Sequence, residues 1–225
     1  MHSIILFAKA PVPGKVKTRL TTNLSPHQSA ALHESFVIDT LMEMSVIKDA
    51  DTFLACHPTS EDPFFLSLEK RFHLNRFEQR GQNLGERMKN AFHHLKSQGY
   101  DKIVIIGSDS PTLSGSIVEE AFESLEKHDL VLGPSLDGGY YLIAISGEVP
   151  EIFNGIQWGG DTVFEDTFNK AKSLGLDMHI LPFWYDVDTI KELRFLSIHL
   201  AGLDDRVCVE TRNVLARIGK TVCYP

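Results

Sequence analysis

Short apolar runs alternate along this chain with segments that open on helix-capping residues, and that alternation restricts the possible folds more than any other feature. Ile103-Val104-Ile105-Ile106 carries no polar residue on either side of a pleat, as expected of a strand covered on both faces. Ser3–Phe7, Asp51–Cys56, Leu130–Leu132, Tyr140–Ile145 and Met178–Leu181 read as further strands. Between them, Ser25-Pro26-His27-Gln28 supplies an N-cap, a proline at the first helical position and a glutamine closing a capping box. Leu32, Phe36, Ile38, Leu41 and Met42 carry that helix to about Met44. Asn83-Leu84-Gly85-Glu86 opens another, with Met88, Ala91, Phe92 and Leu95 as its buried stripe. Ser116-Ile117-Val118-Glu119, Thr162-Val163-Phe164-Glu165 and Thr189-Ile190-Lys191-Glu192 predict helices reaching about Lys127, Leu174 and Leu200, and a last one covers Glu210–Ile218. This order predicts an α/β fold of three layers around a mostly parallel, mixed sheet. With no repeat, low-complexity tract or long linker, residues 1–225 read as one domain, its C-terminal helices (190–225) packed on the rest.

Charge narrows the function. The net charge of −8 speaks against nucleic acid as a partner and against an anionic membrane surface. No apolar run approaches the roughly 20 residues that span a bilayer, and Ile4–Phe7 is too short to be a signal segment. Cys56, Cys208 and Cys223 match neither a disulfide framework nor a zinc spacing, which points to incidental thiols in a reducing cytoplasm. Against this acidic background the chain begins basic: Lys9, Lys15, Lys17 and Arg19 all precede the first acidic residue, Glu34. They are interleaved with Pro11, Pro13 and Gly14 directly after the first strand, where open α/β sheets bind ligands. A nucleotide's phosphates suit such a loop, because charge-assisted hydrogen bonds can replace lost water. Lys15, Lys17 and Arg19 are the expected phosphate ligands, with Gly14 in the turn and backbone around Ala8–Pro11 lining the base. Lys9 fits either a phosphate or a solvated surface.

Familiar phosphate sites fail. Gly14-Lys15 runs into Val16 and lacks the earlier glycine of a P-loop, and no G-x-G-x-x-G follows a strand. No serine occupies a G-x-S-x-G elbow. What remains is a series of motifs: Phe7-Ala8-Lys9-Ala10-Pro11-Val12-Pro13-Gly14-Lys15-Val16-Lys17-Thr18-Arg19-Leu20, Gln82-Asn83-Leu84-Gly85-Glu86-Arg87-Met88, and Ile106-Gly107-Ser108-Asp109-Ser110-Pro111. Gly133-Pro134-Ser135-Leu136-Asp137-Gly138-Gly139-Tyr140-Tyr141 and Asp186-Val187-Asp188-Thr189 complete it. Over about residues 3–195 this series resembles the nucleotide-diphospho-sugar transferase superfamily, with its Rossmann-like glycosyltransferase-A fold. Within it the chain is similar to a bacterial branch of small glycosyltransferase-like proteins, and more distantly to the molybdenum-cofactor and phospholactate guanylyltransferases.

The resemblance implies roles. Asp109 stands where the superfamily places a metal-binding aspartate, which would hold Mg²⁺ or Mn²⁺ together with phosphate oxygens; a turn aspartate before Pro111 is the plainer alternative. Ser108 and Ser110 flank it, so a second metal ligand must come from elsewhere, and Asp188 is the expected source unless it or Thr189 merely caps a helix. Lys17 is placed on the leaving-group side. The segment holding Gly85 and Arg87 approaches the base or sugar, while Asn83 and Glu86 read as caps. Asp137, Gly138, Gly139, Tyr140 and Trp158 make the acceptor side, although Asp-Gly alone would also give a hairpin turn. An inverting glycosyl transfer needs a general base, for which Asp137 and Asp161 are the two choices. The expected activity is metal-dependent glycosyl transfer from a nucleotide-sugar to a small acceptor. Nucleotidyl transfer from a triphosphate to a phosphorylated small molecule is the alternative, and a non-catalytic nucleotide sensor is a third, of a different class.

Overall fold

His2–Lys9 forms β1, and every residue from Ser3 to Ala8 is buried, the mark of a strand covered on both faces. The computed structural model describes residues 1–219. A 3₁₀ turn at Thr18–Thr22 leads to α1 (Pro26–Met44), whose Ser25–Gln28 capping box forms as the sequence predicts. There follow β2 (Ala50–His57), α2 (Pro63–Phe72), β3 (Asn75–Glu78), α3 (Leu84–Lys96), β4 (Lys102–Gly107) and α4 (Gly115–Ser124). The hairpin β5 (Leu130–Pro134) and β6 (Tyr140–Ile145) precedes α5 (Val163–Ser173), β7 (Met178–Ile180), α6 (Ile190–Ala201) and α7 (Val209–Ile218).

The strands form one seven-stranded sheet in the order β3-β2-β1-β4-β6-β5-β7, parallel except that β6 runs antiparallel to both neighbours. The predicted three-layer α/β architecture is therefore correct. On one face Ile4, Leu6, Val104 and Ile106 pack against α1, α2 and α4 through Leu41, Phe65 and Val118. On the other, Ile5, Ile103 and Ile105 meet α3 and α5 through Met88, Phe92 and Ala171. A third cluster joins α6 and α7 to α1, with Leu196, Leu200 and Val214 against Leu32 and Phe36. Asp39 of α1 secures this annex: its carboxylate accepts the N–H groups of Glu210 (3.0 Å) and Thr211 (2.8 Å). It thus caps a helix whose own N-cap, Cys208, makes no capping bond with its side chain.

Several local expectations need correction. Ser114, not Ser116, caps α4, since Gly115 already occupies its first turn. Thr162 precedes α5 without capping it and instead bonds Asp166. Met42 points outward from α1. The pair α2 and β3 is additional to the predicted elements. Asp62-Pro63 is a legible cap and first-turn proline, but β3 has four residues and no buried one, so it carries no strand pattern. Cys56 and Cys208 are free and buried, whereas Cys223 lies outside the described residues. Among the described residues no helix is long and apolar enough to cross a membrane.

Candidate functional site

Strands β1 and β4 pair along their whole length up to Phe7 and Gly107. Beyond them the chain departs toward β2 on one side and toward β5 on the other. Such a reversal opens a crevice at the carboxyl ends of the strands, and here it holds a cleft of about 520 Å³. The loop after β1 forms one wall with Lys9, Lys15, Lys17 and Arg19, joined by Ala8 beneath and by Arg87 and Gln79 beside it. Asp109, Asp186, Asp188, Asp137, Gly139, Tyr140 and Trp158 line it as well, with Trp158 and Tyr140 packed on Gly85 and Met88 of α3 beside Arg87.

Most of the predicted residues are thereby brought together. Pro11, Gly14, Gly85, Gly138 and Asp161 do not reach the cleft wall, and four of them have other jobs. Gly14 takes φ +77° in the Val12–Lys15 turn, closed by a 2.9 Å bond from Lys15 N–H to Val12 C=O, a conformation few other residues tolerate. Gly85 leaves room for the Trp158 ring, which a Cβ would meet at 2.3 Å. Gly138 lies against the Asp161 backbone carbonyl, and the Asp161 side chain is exposed. The hairpin turn holds Asp137, with Oδ1 accepting the Gly139 N–H at 3.0 Å, and Asp137 lines the cleft. Asn83 and Glu86 are caps, as expected.

Lys17 behaves differently from its neighbours. Lys15 and Arg19 are exposed, whereas the Lys17 side chain is 2% exposed and enters the acidic group of the cleft. Its ammonium lies 2.6 Å from Asp109 Oδ1 and 3.1 Å from Asp188 Oδ1, and donates to the Val187 carbonyl at 2.7 Å. Burial alone would push the Lys17 pKa down, but the two carboxylates outweigh it and raise it. For Asp109, burial pulls upward, and Lys17, His33 and Lys9 together hold the carboxyl below its usual range.

Two residues of the cleft lining are new. Asp186 accepts from the hydroxyls of Ser110 and Ser135, tying the loops after β4 and β5 together. Burial pushes its pKa up to about 6 against the opposing pull of those two bonds. His33, from α1, is 3% exposed and bonds the Lys9 carbonyl through Nε2 at 2.9 Å, which steadies the start of the basic loop. Burial, with Lys17 and Lys9 nearby, lowers its pKa. Its position was readable, since residues 29, 33, 36 and 40 share one buried face of a helix.

The donor chemistry suits a hard cation. Asp109 and Asp188 converge so closely that one ammonium bonds both, and their side chains remain 47% and 37% exposed. One or two carboxylates, completed by substrate phosphate oxygens, is the usual protein share of a Mg²⁺ site. Among the described residues no group of three or more His, Cys, Asp or Glu gathers for a metal; if one binds with a phosphate ligand, Asp109 and Asp188 are the carboxylates that would meet it.

Comparison with known proteins identifies the fold and the family. A family model described as "Uncharacterized protein conserved in bacteria (DUF2064)" matches residues 40–160. A crystal structure of a candidate nucleotide-diphospho-sugar transferase from Desulfovibrio desulfuricans G20 is 33% identical over 100% of both chains, with a TM-score of 0.88. CMP:2-keto-3-deoxy-manno-octonic acid synthetase complexed with CTP shares the fold at 11% identity and a TM-score of 0.58, over 90% of this chain and 99% of that one. A cytidylyltransferase from Leptospira borgpetersenii does so at 12% and 0.54, over 100% and 98%. No curated protein matches the sequence. With its sheet order, its cleft at the β1–β4 switch and a full-length relative at this identity, the chain belongs to the DUF2064 family and, through it, to the nucleotide-diphospho-sugar transferase superfamily of transferases.

Proposed function

We propose that the protein transfers a glycosyl group from a nucleotide-diphospho-sugar to a hydroxyl group of a small, uncharged acceptor, with Mg²⁺ or Mn²⁺ as cofactor. The observation that carries this reading is the division of charge within the cleft. Every cation on its wall comes from the basic loop or from Arg87 of α3. The lining from Asp137 to Val163 contributes one carboxylate, aromatic rings and glycines, and no cation. Phosphates belong against the cations and a neutral acceptor against this uncharged lining. Lys9, Lys15, Arg19 and Arg87 would take the diphosphate, and the backbone near Ala8 the base. Tyr140 and Trp158, edge to face at 6.5 Å, would receive the apolar faces of a sugar. Asp137 would accept the proton of the acceptor hydroxyl as its oxygen attacks the anomeric carbon. The bond from that carbon to the phosphate oxygen then breaks, and the nucleoside diphosphate departs. A divalent cation on Asp109 and Asp188 would neutralise charge on that leaving group.

The number of cations favours a second reading, nucleotidyl transfer from a triphosphate, because four cations exceed the need of a diphosphate ester. Calorimetry with nucleotide-sugars and nucleoside triphosphates of each base, in Mg²⁺ or Mn²⁺, separates the two. Glycosyl transfer requires nucleotide-sugar binding and release of nucleoside diphosphate. Binding of triphosphates alone, with pyrophosphate release on adding a phosphorylated acceptor, would replace it with the second reading.

A further inference from the structure

We infer that Lys17 is not a phosphate ligand but a permanent internal counter-ion, a positioning residue that gathers Asp109 and Asp188 and sets their affinity for a divalent cation. An ammonium has three N–H donors and no more. The Lys17 ammonium donates hydrogen bonds to Asp188 Oδ1 (3.1 Å) and to the Val187 carbonyl (2.7 Å) and pairs with Asp109 Oδ1 at 2.6 Å. Three protein oxygens thus surround it, and its side chain is 2% exposed. The acceptors are themselves fixed to one another, because the Val187 N–H donates to the Asp109 carbonyl at 2.9 Å. The Phe36 ring lies 5.3 Å from the ammonium and completes its enclosure.

The backbone is bent to achieve this. Lys17 has φ 46° and ψ 43°, left-handed values that are unfavourable for a residue with a Cβ. Such strain persists where the surroundings over-determine a geometry, and here it aims a cation of the basic loop inward. Lys15 and Arg19, on the same loop, stay exposed; Arg19 comes no nearer than 3.8 Å to Asp188 Oδ2. The loop thus divides its labour: Lys9, Lys15 and Arg19 for the ligand, Lys17 for the protein. Lys17 reduces the charge of the trio from −2 to −1 and occupies the Oδ1 atoms, leaving the Oδ2 atoms of Asp109 and Asp188 outside its own contacts. A divalent cation then binds weakly by itself and firmly once phosphates add their charge.

The metal role of the acid pair rests on the proposed function; the place of Lys17 does not. Mn²⁺ binding to nucleotide-free protein, followed by electron paramagnetic resonance, should tighten at least about fivefold in Lys17→Met, from the loss of one nearby positive charge. In Lys17→Met/Asp188→Asn, which restores the charge of −1 and guards against a misfolded single variant, the affinity should return toward that of the wild type. In EDTA, calorimetry with ADP, CDP, GDP and UDP should give Lys17→Met affinities within twofold of wild type, while Lys15→Ala loses about tenfold. Unchanged Mn²⁺ affinity in Lys17→Met, or a tenfold loss of diphosphate binding there, overturns the inference. If the wild type binds none of the four diphosphates, the proposed function fails, and the Mn²⁺ comparison still decides the role of Lys17.

Discussion

Replacing Gly138 by alanine tests the contact that joins the β5–β6 turn to the segment before α5. A Cβ at this position would sit 1.8 Å from the Asp161 carbonyl oxygen and 2.5 Å from its carbon. The obstacle is backbone, so no side chain can swing away. Gly138 is also held from the other side, since its carbonyl accepts the Phe164 N–H at 2.8 Å in the first turn of α5. Its φ of +91° adds a second penalty. The left-handed conformation costs about 1–2 kcal/mol for a residue with a Cβ, and forcing atoms into a filled space costs about 1–3 kcal/mol. Together they predict a loss of roughly 2–5 kcal/mol, or about 4–20 °C in Tm for a chain of this size. Urea denaturation of three variants separates the terms. Gly159 has φ +89° with nothing within 4 Å of where a methyl group would sit, so its alanine variant should show the conformational penalty alone. In Gly139→Ala the new Cβ meets only Asp137 Oδ1, at 3.2 Å, and the effect should be smallest. Equal losses for Gly138→Ala and Gly159→Ala would refute the argument from overlap.

Asp186 predicts a pH dependence. Its folded pKa of about 6 exceeds the ordinary aspartate value of 3.8, so the folded state holds the proton more tightly and stability declines as pH rises between those values. Above pH 6 the penalty is about 3 kcal/mol at most, at 1.36 kcal/mol per unit. Asp186→Asn, which keeps a partner for both serines, should be more stable than wild type at pH 8 and converge with it near pH 4 in urea titrations. Asp39→Ala leaves the N–H groups of Glu210 and Thr211 without their acceptor; a loss of about 1–2 kcal/mol is expected, with faster hydrogen exchange concentrated in α7. Gly85→Ala would displace the Trp158 ring, and should weaken acceptor binding, measured as a raised KM, more than it weakens nucleotide binding.

What could be read in advance was whatever leaves a local signature. The capping boxes at Ser25 and Thr189, the buried stripe of α3 and the unbroken run in β4 each involve residues a few positions apart. The basic loop was legible for the same reason, as composition at a strand end, whereas Asp109 was singled out by the resemblance of its motif. Pairing across the chain was not. Nothing near Lys17 in sequence reveals that its partners lie beyond residue 100, and a lysine in a basic loop looks the same whether it faces a ligand or a carboxylate. Asp186 and Asp188 stand two residues apart, yet one bonds serines from two loops and the other bonds lysine. Asp161 and Asp137 looked equivalent because each adjoins glycines; the close approach of the Asp161 carbonyl to Gly138 could not be read from either motif.

The bond from Lys17 to Val187 spans 170 residues, and this has a consequence for biosynthesis. Contacts this distant in sequence form late, after the entropy of closing a long loop has been overcome. During synthesis, the basic loop and the first strands emerge well before the 186–188 segment that supplies half of the acid pair, and domains tend to acquire structure from the N-terminus as they emerge. Until that segment docks, Lys17 lacks two of its three acceptors, and the loop that carries it has no reason to hold its strained shape. The ligand therefore meets a competent cleft only once residues 186–188 have emerged and docked, so that nucleotide can reward the assembled fold but cannot template its first half.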